Sequence, residues 1–385
     1  MDSHYDIAII GLGCAGSHVL LELLSRTETR DLNIVVLDDF SRESMHKTWS
    51  YWERGAGKWD TLVSNTWQYA YFKNTDVDKK IDLKGYTYKS IDSPDFINHA
   101  LEKATAFENV TFIKKPVLNC TVHDTFVTIN YALGSCTASL VLDSRIDPDF
   151  FKKEDSITLD QHFKGWVIQS EQPVFETNAI VMMDYRLRDP GTTSFMYVLP
   201  HNAHTALVEF TYFSKKQVAD SVYDDYMNQY IKDYLSIDSF KILHTEQGSI
   251  PMTAHDFAIY NKPLIHKIGT AGGWVKPSTG YSFKSSESKA AQLVSNYIAG
   301  RNLNQNLFSK KFRFYDAIML DVLAEDNERG AAVFQNLYTK QPIENIFAFL
   351  DEETSFKQEI AIMLPLTSWP FIKFFFKRFS QLFKK

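Results

Sequence analysis

Three stretches carry residue types whose spacing can do chemistry. Gly11-Leu12-Gly13-Cys14-Ala15-Gly16 has the G-x-G-x-x-G pattern, and Asp38 lies 22 positions after Gly16. In that pattern the first glycine makes a tight turn and the second lets the backbone approach a pyrophosphate. The third lets helix and strand pack closely, and the acid accepts from a ribose hydroxyl. The spacing does not separate FAD from NAD, and a glycine turn with no nucleotide is the plainer reading. A second glycine loop, "GTAGGWVKPSTGYSF" over 269–283, offers Gly272, Gly273, Pro277 and Gly280 to a flat, partly anionic ligand. Its plainer reading is a tight crossover from strand to helix. The third stretch is "LVEFTYF" (207–213), an apolar run with one acid, Glu209. On a solvated face Glu209 is an ordinary surface charge. Strand alternation sets it beside Leu207, Thr211 and Phe213, with Val208, Phe210 and Tyr212 on the other face. Largely apolar neighbours desolvate a carboxyl, raise its pKa and let it keep a proton to donate.

Recognisable elements position these residues. "YDIAIIGLGCAGSHVLLELLSR" reads as a buried strand, a glycine turn and a helix with apolar Val19, Leu20, Leu23 and Leu24. "LNIVVLDD" is a second buried strand, and "MHKTWSYWERGAG" reads as a loop rich in Trp, Gly and charge. "SPDFINHALEKA" predicts a helix, with Ser93 as cap and Pro94 in the first turn. "VTFIKK", "FVTINYAL" and "ASLVLDSR" follow as strands. From about 160 the pattern changes to long alternating strands, "KGWVIQSE", "NAIVMMDY", "TSFMYVLP" and "TALVEFTYF", the last two joined by the turn "PHNAH". An antiparallel sheet is expected there. The second glycine loop returns to strand, turn and helix, and the tail beyond 300 reads as mostly helical.

The chain's 385 residues suggest two or three lobes. Hydrophobic residues at 44% and charged residues at 23% suit a globular enzyme, while 29 Phe, 19 Tyr and 7 Trp imply large aromatic walls. A net charge of −6 argues against a nucleic-acid partner. Cys14, Cys120 and Cys136 show neither CxxC nor Cys/His spacing, so neither a metal site nor a disulfide framework is expected, which fits a reducing cytoplasm. No secretory signal is expected at the N-terminus. No apolar run approaches the ~18 residues of a spanning helix.

These motifs in this order resemble the bacterial and plant lycopene β-cyclase family, over most of the chain. The resemblance rests on "DIAIIGLGCAGSHV", "KTWSYW", "LDSR", "LVEFT", "GSIPMT", "GTAGGWVKPSTGYSF" and "FLDEETSF". It implies an α/β fold of hydroxybenzoate-hydroxylase-like architecture: a dinucleotide (FAD)-binding Rossmann-like domain, an antiparallel β-sheet substrate domain and a C-terminal helical region. The expected segments are 1–155 and 263–300 for the FAD domain, 156–262 for the substrate domain and 301–385 for the helical region. The resemblance further implies reduced FAD, with NADPH or NADH as electron source, and lycopene as substrate. Its activity is ring closure without net redox change. Gly11, Gly13, Gly16, Asp38, Gly272, Gly273, Pro277 and Gly280 are then cofactor-binding, and Glu209 matches the family's catalytic acid in its F-L-E-E-T-like motif. Phe210 stands where relatives often carry a second acid, which leaves the base for the final proton unassigned.

Protonating an alkene makes a tertiary carbocation, which needs a neutral acid, exclusion of water and π faces nearby. Trp49, Tyr51, Trp52 and Trp274 are candidate walls or ordinary core. "FLDEETSF" looks more like the family motif than "LVEFT". Yet Ser355 with Gln358 forms a capping-box pattern, so Asp351, Glu352 and Glu353 read as acids at a helix start. Asp143 and Arg145 of "LDSR" can pair, either to support the flavin loop or as plain structure, and Lys47 and Thr48 can offer donors near a flavin. After Pro370, Ile372, Phe375, Phe376, Phe379, Leu382 and Phe383 recur on one helical face, with Lys373, Lys377 and Lys384 opposite. Arg378 and Lys385 complete five basic residues with no acid after Glu359. Such a helix suits an anionic bilayer or a docking site on the protein's own core. A cytoplasmic protein held at the inner face of the membrane is expected. Rival readings are an isoprenoid-directed flavoprotein reductase or monooxygenase, and a non-catalytic carrier of an isoprenoid.

Overall fold

The computed structural model describes residues 3–40, 46–152 and 159–382. Met45, the expected boundary at 155, Phe383, Lys384 and Lys385 lie outside the described residues, as does the Leu382 side chain.

The chain begins with β1 (His4–Ile10), α1 (Cys14–Ser25) and β2 (Ile34–Leu37). There follow β3 (Thr48–Arg54), β4 (Asn65–Trp67), β5 (Tyr69–Lys73), β6 (Asp78–Asp82), β7 (Tyr86–Asp92) and α2 (Ser93–Ala104). Next come β8 (Val110–Ile113), β9 (Val117–Val122), β10 (Val127–Tyr131), β11 (Gly134–Asp143) and α3 (Pro148–Lys152). The middle of the chain forms β12 (Leu159–Ser170), β13 (Ala179–Asp184), β14 (Thr193–Pro200), β15 (Thr205–Ser214), α4 (Asp220–Asp233) and β16 (Phe240–Met252). β17 (Ile265–Lys267) and α5 (Phe283–Ile298) bracket the second glycine loop. The rest is helical: α6 (Lys310–Glu325), α7 (Gly330–Lys340), α8 (Ile343–Leu350), α9 (Phe356–Met363) and α10 (Trp369–Leu382).

The first sheet runs β8-β2-β1-β11-β10-β9, with β17 also paired to β11. Its β8, β2, β1, β11 and β17 are mutually parallel, and the central pair, β1 over 7–10 and β2, is buried on both faces and reads as apolar runs. Helices α1 and α5 pack Val19, Leu20, Leu23, Ala290, Leu293 and Val294 against one face. The second sheet runs β16-β12-β15-β14-β13-β5-β6 and is antiparallel except where β13 meets β5. β5 and β6, from the first third of the chain, therefore extend the sheet that the sequence assigns to the middle third. One face packs on α4 through Tyr223, Met227, Tyr230 and Ile231. The other packs on α6, α7 and α8 through Leu320, Leu323, Phe334, Ile346 and Phe347. With both faces covered, all ten residues of β15 are buried.

"TWSYWER", expected as loop, is β3 of a small sheet ordered β3-β7-β4. Its partner lies some forty residues on, beyond the reach of a local pattern. Ser93 is the first residue of α2, whose cap is Asp92; the Ser93 hydroxyl accepts from the Lys47 N–H instead.

The tail helix α10 docks on α6. Phe374 is buried against Ile318 and Val322, with Phe371 beside it. Arg378 makes a two-point ion pair with Asp321 at 2.6 and 2.7 Å, and Lys373 pairs with Glu325. Two of the cations expected to face a bilayer thus hold the helix to the protein. Its opposite face leaves Ile372, Phe376 and Phe379 exposed, together with Trp369, while Phe375, part-exposed, sets its ring against Phe314 of α6. No helix among the described residues is long and apolar enough to cross a membrane.

Candidate active site

Strand register assembles the centre. In β12 Gly165 pairs with Glu209 of β15 on one side and Glu246 of β16 on the other, and Glu209 pairs in turn with Tyr197 of β14. Directly paired residues share a face of the sheet. Glu246, Gly165, Glu209 and Tyr197 therefore form one cross-strand row on the face that meets α6 to α8. The expected alternation holds: Leu207 and Phe213 share this face, while Val208, Phe210 and Tyr212 pack on the α4 side. Glycine inside a strand marks a place where other groups come close. A Cβ at Gly165 would lie 3.0 Å from Leu207 Cδ1 and 3.3 Å from Glu209 Cβ. Its absence opens a gap over which the two carboxyls meet.

Glu209 and Glu246 are each 7% exposed. Burial pushes the Glu209 carboxyl up to about 8, reinforced by the Glu246 charge and by the hydrogen bond it donates to Glu246; a hydrogen bond from the Thr211 hydroxyl works against this. Burial likewise raises Glu246, to about 7, opposed by Thr48, whose N–H and hydroxyl both donate to Oε2 at 3.2 Å. His46 lowers it further and Asp92 raises it. Two carboxylates this close cannot both ionise readily, so the pair holds one proton near neutrality. Its preferred seat is Glu209, which has fewer donors.

Tyr197 carries the row toward the second glycine loop. The Tyr88 hydroxyl hydrogen-bonds those of Tyr197 and Tyr281, each at 2.7 Å, and Tyr281 follows Gly280 in that loop. Burial holds all three phenols well above their ordinary pKa, so they stay protonated. Trp52 stacks on Phe347 with ring centres 4.5 Å apart and sets its edge against Tyr281 at 4.7 Å, while its indole N–H donates to Asp351 at 2.7 Å. Trp52 thus packs into this aromatic cluster. Trp49 and Tyr51 pack instead against Phe283 at the start of α5, and Trp274 is buried between α1 and α5.

The first glycine turn fits a dinucleotide. Gly11 has φ +90°, and a Cβ at Gly16 would strike the Gly11 carbonyl oxygen, whereas a Cβ at Gly13 would meet nothing within 4 Å. Gly13 caps α1 with no side-chain hydrogen bond, leaving N–H groups and open space before the helix dipole. Asp38 accepts from the N–H groups of Leu12 and Phe40, each at 2.6 Å, and so sits at the turn. In the second loop a Cβ at Gly272 would strike the Lys267 carbonyl, one at Gly273 (φ +72°) Phe257, and one at Gly280 (φ +75°) Gln161 of the second sheet. Gly273 and Pro277 also line a small cavity with Lys276, Lys289, Arg313 and Glu352. Three buried polar atoms around this loop, Trp274 Nε1, Thr279 Oγ1 and Gln161 Oε1, lack hydrogen-bond partners. Orphaned groups of this kind ask for a ligand.

"LDSR" clamps both turns. Asp143 pairs with Arg145 at 2.9 Å and with Lys267, just before the second loop, at 3.0 Å. The Ser144 hydroxyl donates to the Ile10 carbonyl at the first turn. Thr48 spends its donors on Glu246 rather than on a cofactor site. The Ser355–Gln358 capping box is present. Asp351, however, ends α8 and binds Trp52, while Glu352 adopts φ +65° and pairs with Lys276 at 2.9 Å. Contacts to the aromatic wall and the loop, not a helix dipole, account for these two acids.

The family model described as lycopene cyclase protein matches residues 6–375. The chain belongs to the lycopene cyclase family. A lycopene beta-cyclase of Pseudescherichia vulneris is 27% identical over 290 residues, spanning 72% of this chain and 70% of that protein. Among solved structures, a geranylgeranyl bacteriochlorophyll reductase-like protein from Thermoplasma acidophilum superposes with TM-score 0.61 at 11% identity, covering 99% of this chain and 98% of the other. A flavoprotein/dehydrogenase from Cytophaga hutchinsonii gives 0.61 at 12% identity, with 94% and 96% covered. A p-nitrophenol 4-monooxygenase from Pseudomonas putida gives 0.59 at 15%, with 95% and 99% covered. The fold is the Rossmann-like flavoprotein fold. Within this family member the register adds Glu246, which the strand pattern alone did not mark. The available signal was Gly165, a glycine inside an otherwise bulky strand.

Proposed function

We propose that this family member is a lycopene β-cyclase, closing the linear ends of lycopene into β-ionone rings with FAD in its reduced form. The observation that carries the reading is Glu209. It is a buried carboxyl raised into the protonated range at neutral pH, on the sheet face whose aromatic cluster reaches Tyr281 of the second glycine loop. Family membership and the kinship to a lycopene beta-cyclase support the substrate.

Gly11, Gly13, Gly16 and Asp38 would hold the adenosine diphosphate half of the cofactor, and Gly272, Gly273, Pro277 and Gly280 would border the flavin. When bound and reduced, the flavin supplies an electron-rich face that steadies positive charge, and NADPH or NADH is the proposed electron source. The chain's own groups do the rest. Glu209 donates its proton to the terminal alkene, and the neighbouring double bond attacks the resulting cation. Trp52, Tyr281 and Phe347 exclude water and present π faces to that cation. Tyr197 and Thr211 fix the Glu209 side chain from the next strand and from its own.

We further propose peripheral attachment to the inner face of the cytoplasmic membrane through the exposed aromatic side of α10 around Trp369 and Phe376, since the substrate is dissolved in lipid. Co-expression with a lycopene-producing pathway tests the reading. Wild type is expected to turn red lycopene into yellow-orange cyclic product, and Glu209→Gln to leave it red while still binding flavin. Saturated or oxygenated products would indicate a reductase or monooxygenase instead.

A further inference from the structure

Ring closure needs a base as well as an acid, and Phe210, beside Glu209, cannot serve. Glu246 lies two strands across the sheet from Glu209, and Gly165 of β12 offers no side chain between them. Thr48 and His46 favour the ionised form of Glu246 against its burial. Thr48 of β3 gives it two hydrogen bonds. His46 lies close enough to favour its negative charge. Burial opposes this most, and Asp92, at the end of β7, adds to it, although Asp92 is itself paired with His46 at 3.0 Å. Glu209 has Thr211 as its one other donor, with Tyr197 and Tyr281 nearby.

Resting on the cyclase reading, we propose that Glu246 is the base that removes the ring proton, acting with Glu209 as a one-proton pair across Gly165. The steps balance. The Glu209 O–H bond breaks as a C–H bond forms at the terminal alkene, leaving Glu209 ionised and a tertiary cation. The second double bond then forms the ring C–C bond and moves the charge into the ring. Glu246 takes a proton from the ring carbon beside that charge, and the C–H electron pair becomes the new double bond. The carbon that gains a proton and the carbon that loses one are separated by a single ring carbon. Two carboxyls sharing a hydrogen bond match that short span. Passing the proton back from Glu246 to Glu209 resets the pair, with nothing oxidised or reduced.

The test compares wild type, Glu209→Gln, Glu246→Gln and Glu246→Asp in a lycopene-producing host, scoring ring products and the flavin bound by each purified protein. Glu246→Gln is expected to retain flavin and to lose β-ring formation by ~100-fold. Its residual rings should carry the double bond at another carbon, a readout that a merely structural role would not move, and Glu246→Asp should restore part of the β product. Unchanged rate and double-bond position in flavin-loaded Glu246→Gln, with Glu209→Gln inactive, overturns this inference and leaves the cyclase reading standing. A wild type that leaves lycopene linear sinks the cyclase reading itself. If Glu246→Gln does not accumulate, Thr48→Val serves. Removing a donor to Glu246 should shift the acid limb of the pH–rate profile upward, and an unmoved limb overturns the assignment.

Discussion

Glu209 and Glu246 stand on either side of Gly165, the one position in their cross-strand row without a side chain, and the Glu246 charge helps Glu209 keep its proton. Burial raises both carboxyls, to about 8 for Glu209 and about 7 for Glu246. The competent state has Glu209 protonated and Glu246 ionised. Cyclisation is therefore expected to peak between those values, falling below about 7 as Glu246 gains a proton and above about 8 as Glu209 loses its own. Initial rates on lycopene in liposomes, with the flavin kept reduced, measure this profile. A rate that keeps rising far into acid would contradict it.

The same shifts make a stability prediction. Both folded-state values lie above the ordinary carboxyl value of 4.5, so the folded chain binds more protons than the unfolded one between there and about 8. The stability this contributes is full below 4.5 and is lost as pH rises through about 7 to 8. Glu209→Gln keeps the shape, can still donate to Glu246 and cannot ionise. Its melting temperature is expected to exceed that of wild type by about 2–4 °C on the alkaline side, with the gap closing in acid. Circular-dichroism melts at the two ends of the range decide it.

Gly165 can be tested without touching either acid. A methyl there would sit 3.0 Å from Leu207 Cδ1 and 3.3 to 3.4 Å from Glu209 Cβ and Cγ, pushing the Glu209 stem out of the row. Gly165→Ala is expected to cost at least ~10-fold in cyclisation, since small misplacements of a reacting group are expensive. Flavin content should not change. An alanine variant at full rate would show that the row tolerates a side chain.

How much of this was legible beforehand differs by residue. Glu209's face followed from period-two alternation alone, and the glycine fingerprint between a buried strand and a helix fixed the first layer. Glu246 lies in "HTEQGS", a polar stretch with no apolar alternation to mark it as buried. Its burial comes from pairing with β12 some eighty residues earlier. Trp49 to Trp52 failed for the same reason, because β7 makes them a strand. Asp351 was misread because a row of acids before "SF" looks like a helix start, whereas its partner, the Trp52 indole, is 299 positions away. Local pattern reports periodicity; pairing across distant segments is set by the whole fold.

The two glycines of the first turn should separate packing from cofactor binding. A Cβ at Gly16 collides with the Gly11 carbonyl oxygen, while one at Gly13 meets no protein atom within 4 Å. Gly16→Ala is therefore expected to lower both the melting temperature and the flavin content. Gly13→Ala should leave melting of the flavin-free protein unchanged yet weaken flavin binding by ~10-fold or more, because the open space is where a pyrophosphate would lie. Flavin absorbance and thermal melts of both variants check the contrast.

The tail helix offers the last contrast, between docking and membrane contact. Phe374 and the Arg378–Asp321 pair face α6, whereas Trp369 (74% exposed) and Phe376 (64% exposed) face away. If the outer face meets lipid, replacing Trp369 and Phe376 with Asp removes two large apolar groups from the interface and adds two charges repelled by anionic lipid. Co-sedimentation with anionic vesicles is then expected to fall by ~10-fold or more while the melting temperature holds. Arg378→Ala should do the reverse, lowering stability by loosening α10 from Asp321. Because Lys373 and Arg378 already pair with Glu325 and Asp321, salt should weaken vesicle binding only mildly. Strong salt sensitivity, with no effect of the aromatic replacements, would mean that charge rather than the Phe-rich face holds the protein to the bilayer.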